Sequence, residues 1–240
     1  LSPSSAASDV YKRQSIMAEF GAMILMDNGN PFVTPQSTPF CLYGKYTFNS
    51  SANGSSQQVA QNIALNADYP VMVFIRTTNT AQPTPVISYR NGGNVYVAGV
   101  NPYNNSFTLT AYIFAIFPQT LPKWGMAIWD AAGKLVLTNE SRVLSDLQTI
   151  GTPGANGGIN IDQTLSGPWA VAPAQLGQSI VVNNSTRPPT IYTINAYSAC
   201  RFDGANTRIN AGGTSTGTGS PEGVTNTGIS LTAINTAAYD

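Results

Sequence analysis

Short apolar runs bounded by Gly, Pro, Asn, Asp and Ser dominate this chain from Met17 to about Ser145, which is the pattern of β-strands and tight turns. Residues 71–76 are β-rich and almost wholly apolar. Residues 86–90 and 95–98 flank Asn91-Gly-Gly-Asn94, a turn of residues that tolerate positive φ, and so predict a hairpin. The longest strand candidate is 106–117. There Phe107, Leu109, Ile113 and Phe117 point one way, while Tyr112, Phe114 and Ile116 make its second half apolar on the other face as well. A strand buried on both sides is central in its sheet or is covered by a partner chain. Between 49 and 67 a Ser/Asn/Gly stretch leads into residues 57–63, which fit a short helix or a long loop.

Residues 20–37 have an echo 104 positions later, in 124–141. Gly21 and Gly125, Ile24 and Ile128, Gly29 and Gly133, Thr34 and Thr138, and Ser37 and Ser141 fall in register, led by Phe20 or Trp124. Around the second copy, 124–129 and 134–138 are apolar and Asp130-Ala-Ala-Gly133 lies between them. Asp can accept from its own backbone two residues on, and Gly can take the positive φ that closes a type I turn in a bulge. A hairpin follows, and Asp27-Asn28-Gly29 offers similar chemistry in the first copy. Neither Asp27 nor Asp130 has a second carboxylate close by, so both read as turn residues and not as metal ligands. Gly21 and Gly125 mark a bulge or a close backbone approach, since no helix pattern follows to make an anion site.

The Gly/Pro-rich segment 151–167 is the candidate boundary. Beyond it, strand signals at 169–172, 179–182, 190–202 and 228–234 are interrupted by 210–223, a run of small residues expected to be a long exposed loop. That run lacks the Gly-Lys-Ser/Thr ending of a phosphate-cradling loop. The first sixteen residues stand apart. Asp9 to Gln14 resembles the translation of a transposon end used in sequencing adapters, so 1–16 is expected to be non-native and disordered, with the natural start at Met17. The predicted architecture is therefore all-β. An antiparallel β-sandwich, Ig-like or jelly-roll-like, spans 17–150, a linker follows at 151–167, and a smaller C-terminal β-rich region, 168–240, packs on the sandwich.

Composition narrows the chemistry. Charged residues are 9% of the chain, against roughly 25% in average soluble domains. Without Lys12, Arg13 and Asp9 the count falls from 11 basic and 11 acidic residues to 9 and 10. So weak a field disfavours nucleic acid and anionic membrane surfaces as partners. No apolar run reaches the roughly 18 residues of a membrane span, so membrane insertion is not expected. Histidine is absent, which excludes Ser-His-Asp and Cys-His catalysis and the His-containing zinc sites. Cys41 and Cys200 sit in apolar strand-like surroundings and read as free buried thiols. No catalytic, cofactor-binding or metal-ligating set emerges. Trp169, Tyr192, Tyr197 and Tyr103 are the aromatics available to stack on a sugar or contact a partner. Paired-carboxylate hydrolysis would have to draw on Asp146, Asp162, Asp203 and Glu140, which no spacing pairs.

The segment 124–144 resembles a pattern met in tail-associated proteins of tailed bacteriophages: aromatic, Gly, alternating apolar residues, Asp-x-x-Gly, a strand, then Ser before an apolar position. The opening 17–39 and the closing Ile234-Asn-Thr-Ala-Ala-Tyr-Asp240 are similar to the ends of uncharacterised members of that group. Residues 150–225 share only composition with it, and the first copy departs from the pattern with Met26 where the second has Asp130. The resemblance implies a non-enzymatic structural component of a virion tail or tail tip. Such a chain would be made in the bacterial host cytoplasm, would assemble as an oligomer with other tail proteins, and would contact a host surface glycan or protein. A carbohydrate-binding module or adhesin is the alternative reading.

Overall fold

The computed structural model describes residues 24–25, 31–33, 38–130, 132–217 and 219–240. Its strands, in chain order, begin with β1 (Ile24–Leu25), β2 (Pro31–Val33), β3 (Cys41–Asn49), β4 (Ser51–Asn53), β5 (Ser56–Ala64) and β6 (Val71–Thr78). Next come β7 (Val86–Asn91), β8 (Asn94–Asn101), β9 (Thr108–Ala115), β10 (Ala127–Trp129), β11 (Leu135–Thr138) and β12 (Leu147–Ile150). After a 3-10 turn at Gly158–Asn160 follow β13 (Asp162–Ser166), β14 (Trp169–Val171), β15 (Gln175–Asn183), β16 (Thr190–Phe202), β17 (Asn206–Gly213), β18 (Ser220–Asn226) and β19 (Leu231–Asn235). They fall into two compact units, one of Leu1–Pro39 with Pro118–Asn139, the other of Phe40–Phe117 with Glu140–Asp240.

The larger unit is a β-sandwich. One layer is the four-stranded sheet β4-β5-β8-β7, and the other is an 11-stranded sheet that branches at β6 and at β16. Alternation builds the space between them. Val59, Ile63, Val86, Val95 and Val97 from the small sheet meet Ile75, Leu109, Ala111, Ile113, Val171 and Ile209 from the large one in a single buried cluster. The even-numbered residues of β6 and β9 point the other way, where Phe74, Tyr112 and Phe114 form a second cluster with Ala170, Ile234 and Tyr239. Phe114 stacks edge-on between Phe74 and Tyr239, with ring centroids 5.9 and 4.9 Å away. The expectation for 106–117 is thus met: β9 lies between β3 and β6 and is buried on both faces.

Strands on both sides of 151–167 share the large sheet. Antiparallel β14 bridges β6 and β19, while the end of β16 runs parallel to β6 at Arg201↔Thr77. One parallel contact makes the sheet mixed where a purely antiparallel one was expected. Two local readings are corrected. Residues 57–63 are strand, within β5: Val59 and Ile63 are four apart, a spacing that suits a helix face and a strand face equally, and pairing with β8 decides it. Most of 210–223 is also strand, leaving only 214–219 as a connection. The small residues of β17 pair with β16, and Pro221 is accommodated at the bulge of β18, the end strand of its row.

Asp240 ties the end of the chain to the sheet. Its carboxylate accepts from Tyr112 Oη at 2.5 Å and pairs with Lys45 Nζ at 2.9 Å and Arg76 Nη1 at 3.1 Å. Burial alone would raise its pKa, but the Tyr112 and Lys45 hydrogen bonds and the Arg76 and Lys45 charges together hold it below the ordinary aspartate value. Cys41 and Cys200 are both buried and unlinked, as their apolar surroundings predict.

In the smaller unit both sequence echoes form antiparallel hairpins, and they match residue for residue. Ile24 pairs with Val33 and Leu25 with Pro31; Ile128 pairs with Leu137 and Trp129 with Leu135. Both pairings of the first hairpin recur in the second shifted by 104 positions, and both registers slip at the same step, Ile24/Leu25 and Ile128/Trp129. The turn has a visible cause in the second copy. Asp130 Oδ1 accepts from the amides of Ala132 at 3.0 Å and Lys134 at 2.8 Å, and Gly133 closes the turn at φ +78°. Phe20, Gly21, Asp27, Gly29, Thr34 and Ser37 lie outside the described residues.

Candidate functional site

The four aromatics singled out in the sequence do not converge. Trp169 is half-buried against the main core, and its indole N–H donates to the Ser166 carbonyl at 2.8 Å. Tyr192 and Tyr197 are five residues apart on β16 and so project to opposite faces. The 214–219 loop passes close to Tyr192, since a Cβ on Gly217 would lie 3.2 Å from its hydroxyl. Tyr103 is 53% exposed in the turn after β8, where Asn101 Oδ1 accepts from its amide at 3.1 Å. These four do not form one row of exposed rings. A different aromatic pair presents one ring to solvent: Tyr89, 53% exposed, opposes the half-buried Tyr96 across β7–β8 with ring centroids 4.6 Å apart. Both belong to the hairpin read from the sequence, and the period-two alternation that turns Val95 and Val97 inward turns this pair out.

Three of the four candidate carboxylates are engaged by neighbouring donors. Asp146 has φ +56° and accepts from Ser145 Oγ, and Glu140 lies in the link after β11. Asp162 is held by both arms of Arg208, with Nε at 2.8 Å and Nη2 at 2.6 Å, and that contact lowers its pKa. Asp203 caps its own turn by accepting from the amides of Asn206 at 2.6 Å and Ala205 at 2.8 Å, which lower its pKa too. Glycoside hydrolysis needs a carboxylic acid that keeps its proton near neutrality. Asp162 and Asp203 are shifted the wrong way for it.

What the fold does assemble is an arginine-lined cavity of about 350 Å³. The antiparallel register sets Arg201 on β16 directly opposite Arg208 on β17, and Arg208 opposite Thr164 on β13, so the three share one face. That face is turned away from the main core, into which the neighbouring Cys200 and Ile209 point. The segment after β6, Asn79, Thr80 and Ala81, completes the wall with Asp203 and Asn206. Arg201 is only 5% exposed. Its Nη1 donates to the Thr80 carbonyl at 2.8 Å, while its Nε is buried with no partner. Desolvation, then the Arg208 charge, lower its pKa, yet a guanidinium remains protonated at any physiological pH. Two like charges facing each other across strands are unfavourable on their own; here the Asp162 carboxylate pairs with Arg208 and its charge also acts on Arg201, and Asp203 lies in the same wall. Nothing in the sequence marked this pair, because Arg201 and Arg208 become neighbours only through the β16–β17 register.

A second, apolar cleft of about 240 Å³ lies against β15, β16, β17 and β18, lined by Ile159, Ile194, Ala196, Ala211 and Val224. No cluster of metal-ligating side chains occurs among the described residues. No protein-family model, curated protein or solved structure matches the chain, so its chemistry is read from this geometry alone.

Proposed function

We propose that this protein is a non-enzymatic structural component of a bacteriophage tail or tail tip that assembles with other tail subunits and contributes to host attachment. The observation that carries the reading is the duplicated hairpin. Its sequence pattern is the one that resembles tail-associated proteins, and its second copy, with Leu121 just before it, exposes large apolar side chains. Trp124 is 86% exposed, Leu121 61%, Trp129 51% and Met126 48%. Apolar side chains grouped in this way mark a surface that another protein covers, and a weakly charged chain can desolvate such a surface at little electrostatic cost. Immunogold labelling of purified virions tests the reading: gold on the tail is the expected result, and virions whose tails stay unmarked reject it.

A carbohydrate-binding role is favoured by one specific feature, the Tyr89–Tyr96 pair, in which Tyr89 is exposed and Tyr96 half-buried. Stacked tyrosines beside Asn62, which pairs with Tyr96 across β5–β8, offer an apolar platform with an amide at its border. Loss of a glycan-array signal in Tyr89→Ala would support this second role, and a wild-type protein silent on the array would remove it.

A further inference from the structure

We propose that Asn91 is a site of spontaneous backbone modification, at which the folded chain loses a side-chain amide and becomes isoaspartate or aspartate. The chain holds four Asn-Gly pairs, at 28–29, 53–54, 91–92 and 156–157, and the first lies outside the described residues. Glycine after asparagine favours the reaction because no side chain shields the attacking amide nitrogen. By sequence the other three are alike, and the fold separates them.

The reaction needs water alone. The Gly92 nitrogen gives its proton to a solvent base and bonds to Asn91 Cγ, while the Cγ–Nδ2 bond breaks and ammonia leaves. Water then adds to one carbonyl of the resulting succinimide ring, and that carbonyl's bond to the ring nitrogen breaks. Opening at Cγ gives aspartate. Opening at the main-chain carbonyl gives isoaspartate, in which the chain runs through the side-chain carbons. One water is consumed and one ammonia released, and nothing is oxidised or reduced.

Asn91 meets both requirements, a free side chain and a free amide. Asn91 and Gly92 are exposed, and a Cβ on Gly92 would meet no atom within 4 Å. Among the described residues no hydrogen bond holds the Asn91 side chain or the Gly92 amide. The turn is anchored instead at Gly93, whose carbonyl accepts from the Leu65 amide at 2.9 Å. Asn91↔Asn94 is also the last pair of the β7–β8 ladder, where strands open most easily. Asn53 lies in an equally open turn, but its Nδ2 donates to Gln58 Oε1 at 2.8 Å, a bond that must break before Cγ can turn onto the Gly54 nitrogen. Asn156 precedes a locked glycine. Gly157 is buried, its amide donates to the Gly154 carbonyl at 3.1 Å, and a Cβ on it would lie 2.5 Å from the Gly228 carbonyl oxygen. A nitrogen so held cannot reach the Asn156 side chain. Modification at Asn91 places a new carboxylate, and in the isoaspartyl form a longer backbone, at the tip of the hairpin that carries Tyr89 and Tyr96.

Peptide mapping by mass spectrometry, on the full chain aged in mildly alkaline buffer with and without urea, tests this. In the native protein Asn91 should convert fastest, and Asn53 about two- to tenfold more slowly, the factor that one neutral hydrogen bond contributes to a rate. Asn156 should be slower still. In urea the three rates should converge to within about threefold, since each then reports only its Asn-Gly sequence. Gln58→Ala should raise the native Asn53 rate by the same two- to tenfold factor and leave Asn91 unchanged. Native conversion of Asn53 or Asn156 as fast as that of Asn91, a ranking that persists in urea, or an Asn53 rate indifferent to Gln58→Ala would each overturn the proposal.

Discussion

Replacing Asp240 by Asn removes one charge while keeping the shape of the side chain, and so measures what the anchored end of the chain contributes. In the wild type, one carboxylate serves Tyr112, Lys45, Arg76 and Thr236, the last through a 3.2 Å hydrogen bond from its hydroxyl. These partners are not equal. Lys45 and Asp240 are 34% and 29% exposed at the side chain, so their pair contributes under about 1 kcal/mol. Arg76 is 14% exposed and loses its counter-charge in the variant, and the buried Tyr112 keeps only a neutral acceptor. Hydrogen bonds to charged groups contribute about 1.5–3 kcal/mol. The amide preserves part of this, so the expected loss is about 2–3 kcal/mol at pH 7. The pH dependence separates charge from shape. Asp240's pKa is depressed in the folded protein, so its stabilisation is complete above the unfolded value of about 3.9 and fades as the pH falls through the lower folded value. Urea denaturation of both proteins at pH 7 and near pH 2 should therefore show a gap that closes in acid. A gap below about 0.5 kcal/mol at pH 7, or one equally large near pH 2, would refute the assignment of this charge as the anchor.

Three further outcomes follow from the packing and the turn. Phe114→Ala empties a site 0% exposed in the second core cluster and should cost about 3–5 kcal/mol in chemical denaturation. Gly133→Ala meets no atom within 4 Å, so only the positive φ of +78° opposes it; a loss of about 1 kcal/mol is expected, and a much larger one would mean the turn is packed against something. Burial pushes the thiols of Cys41 and Cys200 up to about 11 and about 12, so a disulfide reagent at pH 8 should leave both unmodified in the native protein and titrate both in urea.

The features readable in advance share one property: they depend on residues close together in the chain. Asp130 and Gly133 specify their own turn through contacts spanning four residues, so the second hairpin could be drawn from its sequence alone. The match between the two hairpins was legible as a register of identities, and it reappears as a shared register of pairing and a shared bulge. Residues 57–63 were ambiguous for a physical reason, since Val59 and Ile63 satisfy both periods until β8 arrives as a partner. The placement of the candidate ligand aromatics was open for a similar reason. Composition shows that Trp169, Tyr192, Tyr197 and Tyr103 exist, but which side of a sheet a ring occupies depends on strand parity and on what covers that side.

By itself the sequence determined the all-β class, the free buried thiols, the two-sided burial of β9 and the turn chemistry of the repeated hairpin. Each follows from alternation or from short-range hydrogen bonding, which neighbouring residues settle among themselves. Only the tertiary structure decided that strands from both halves of the chain interleave around β6, and that Arg201 comes to lie beside Arg208 and beneath Thr80. Those are long-range pairings. The energy that selects them comes from burying two faces of one sheet at once, and no local pattern carries that information.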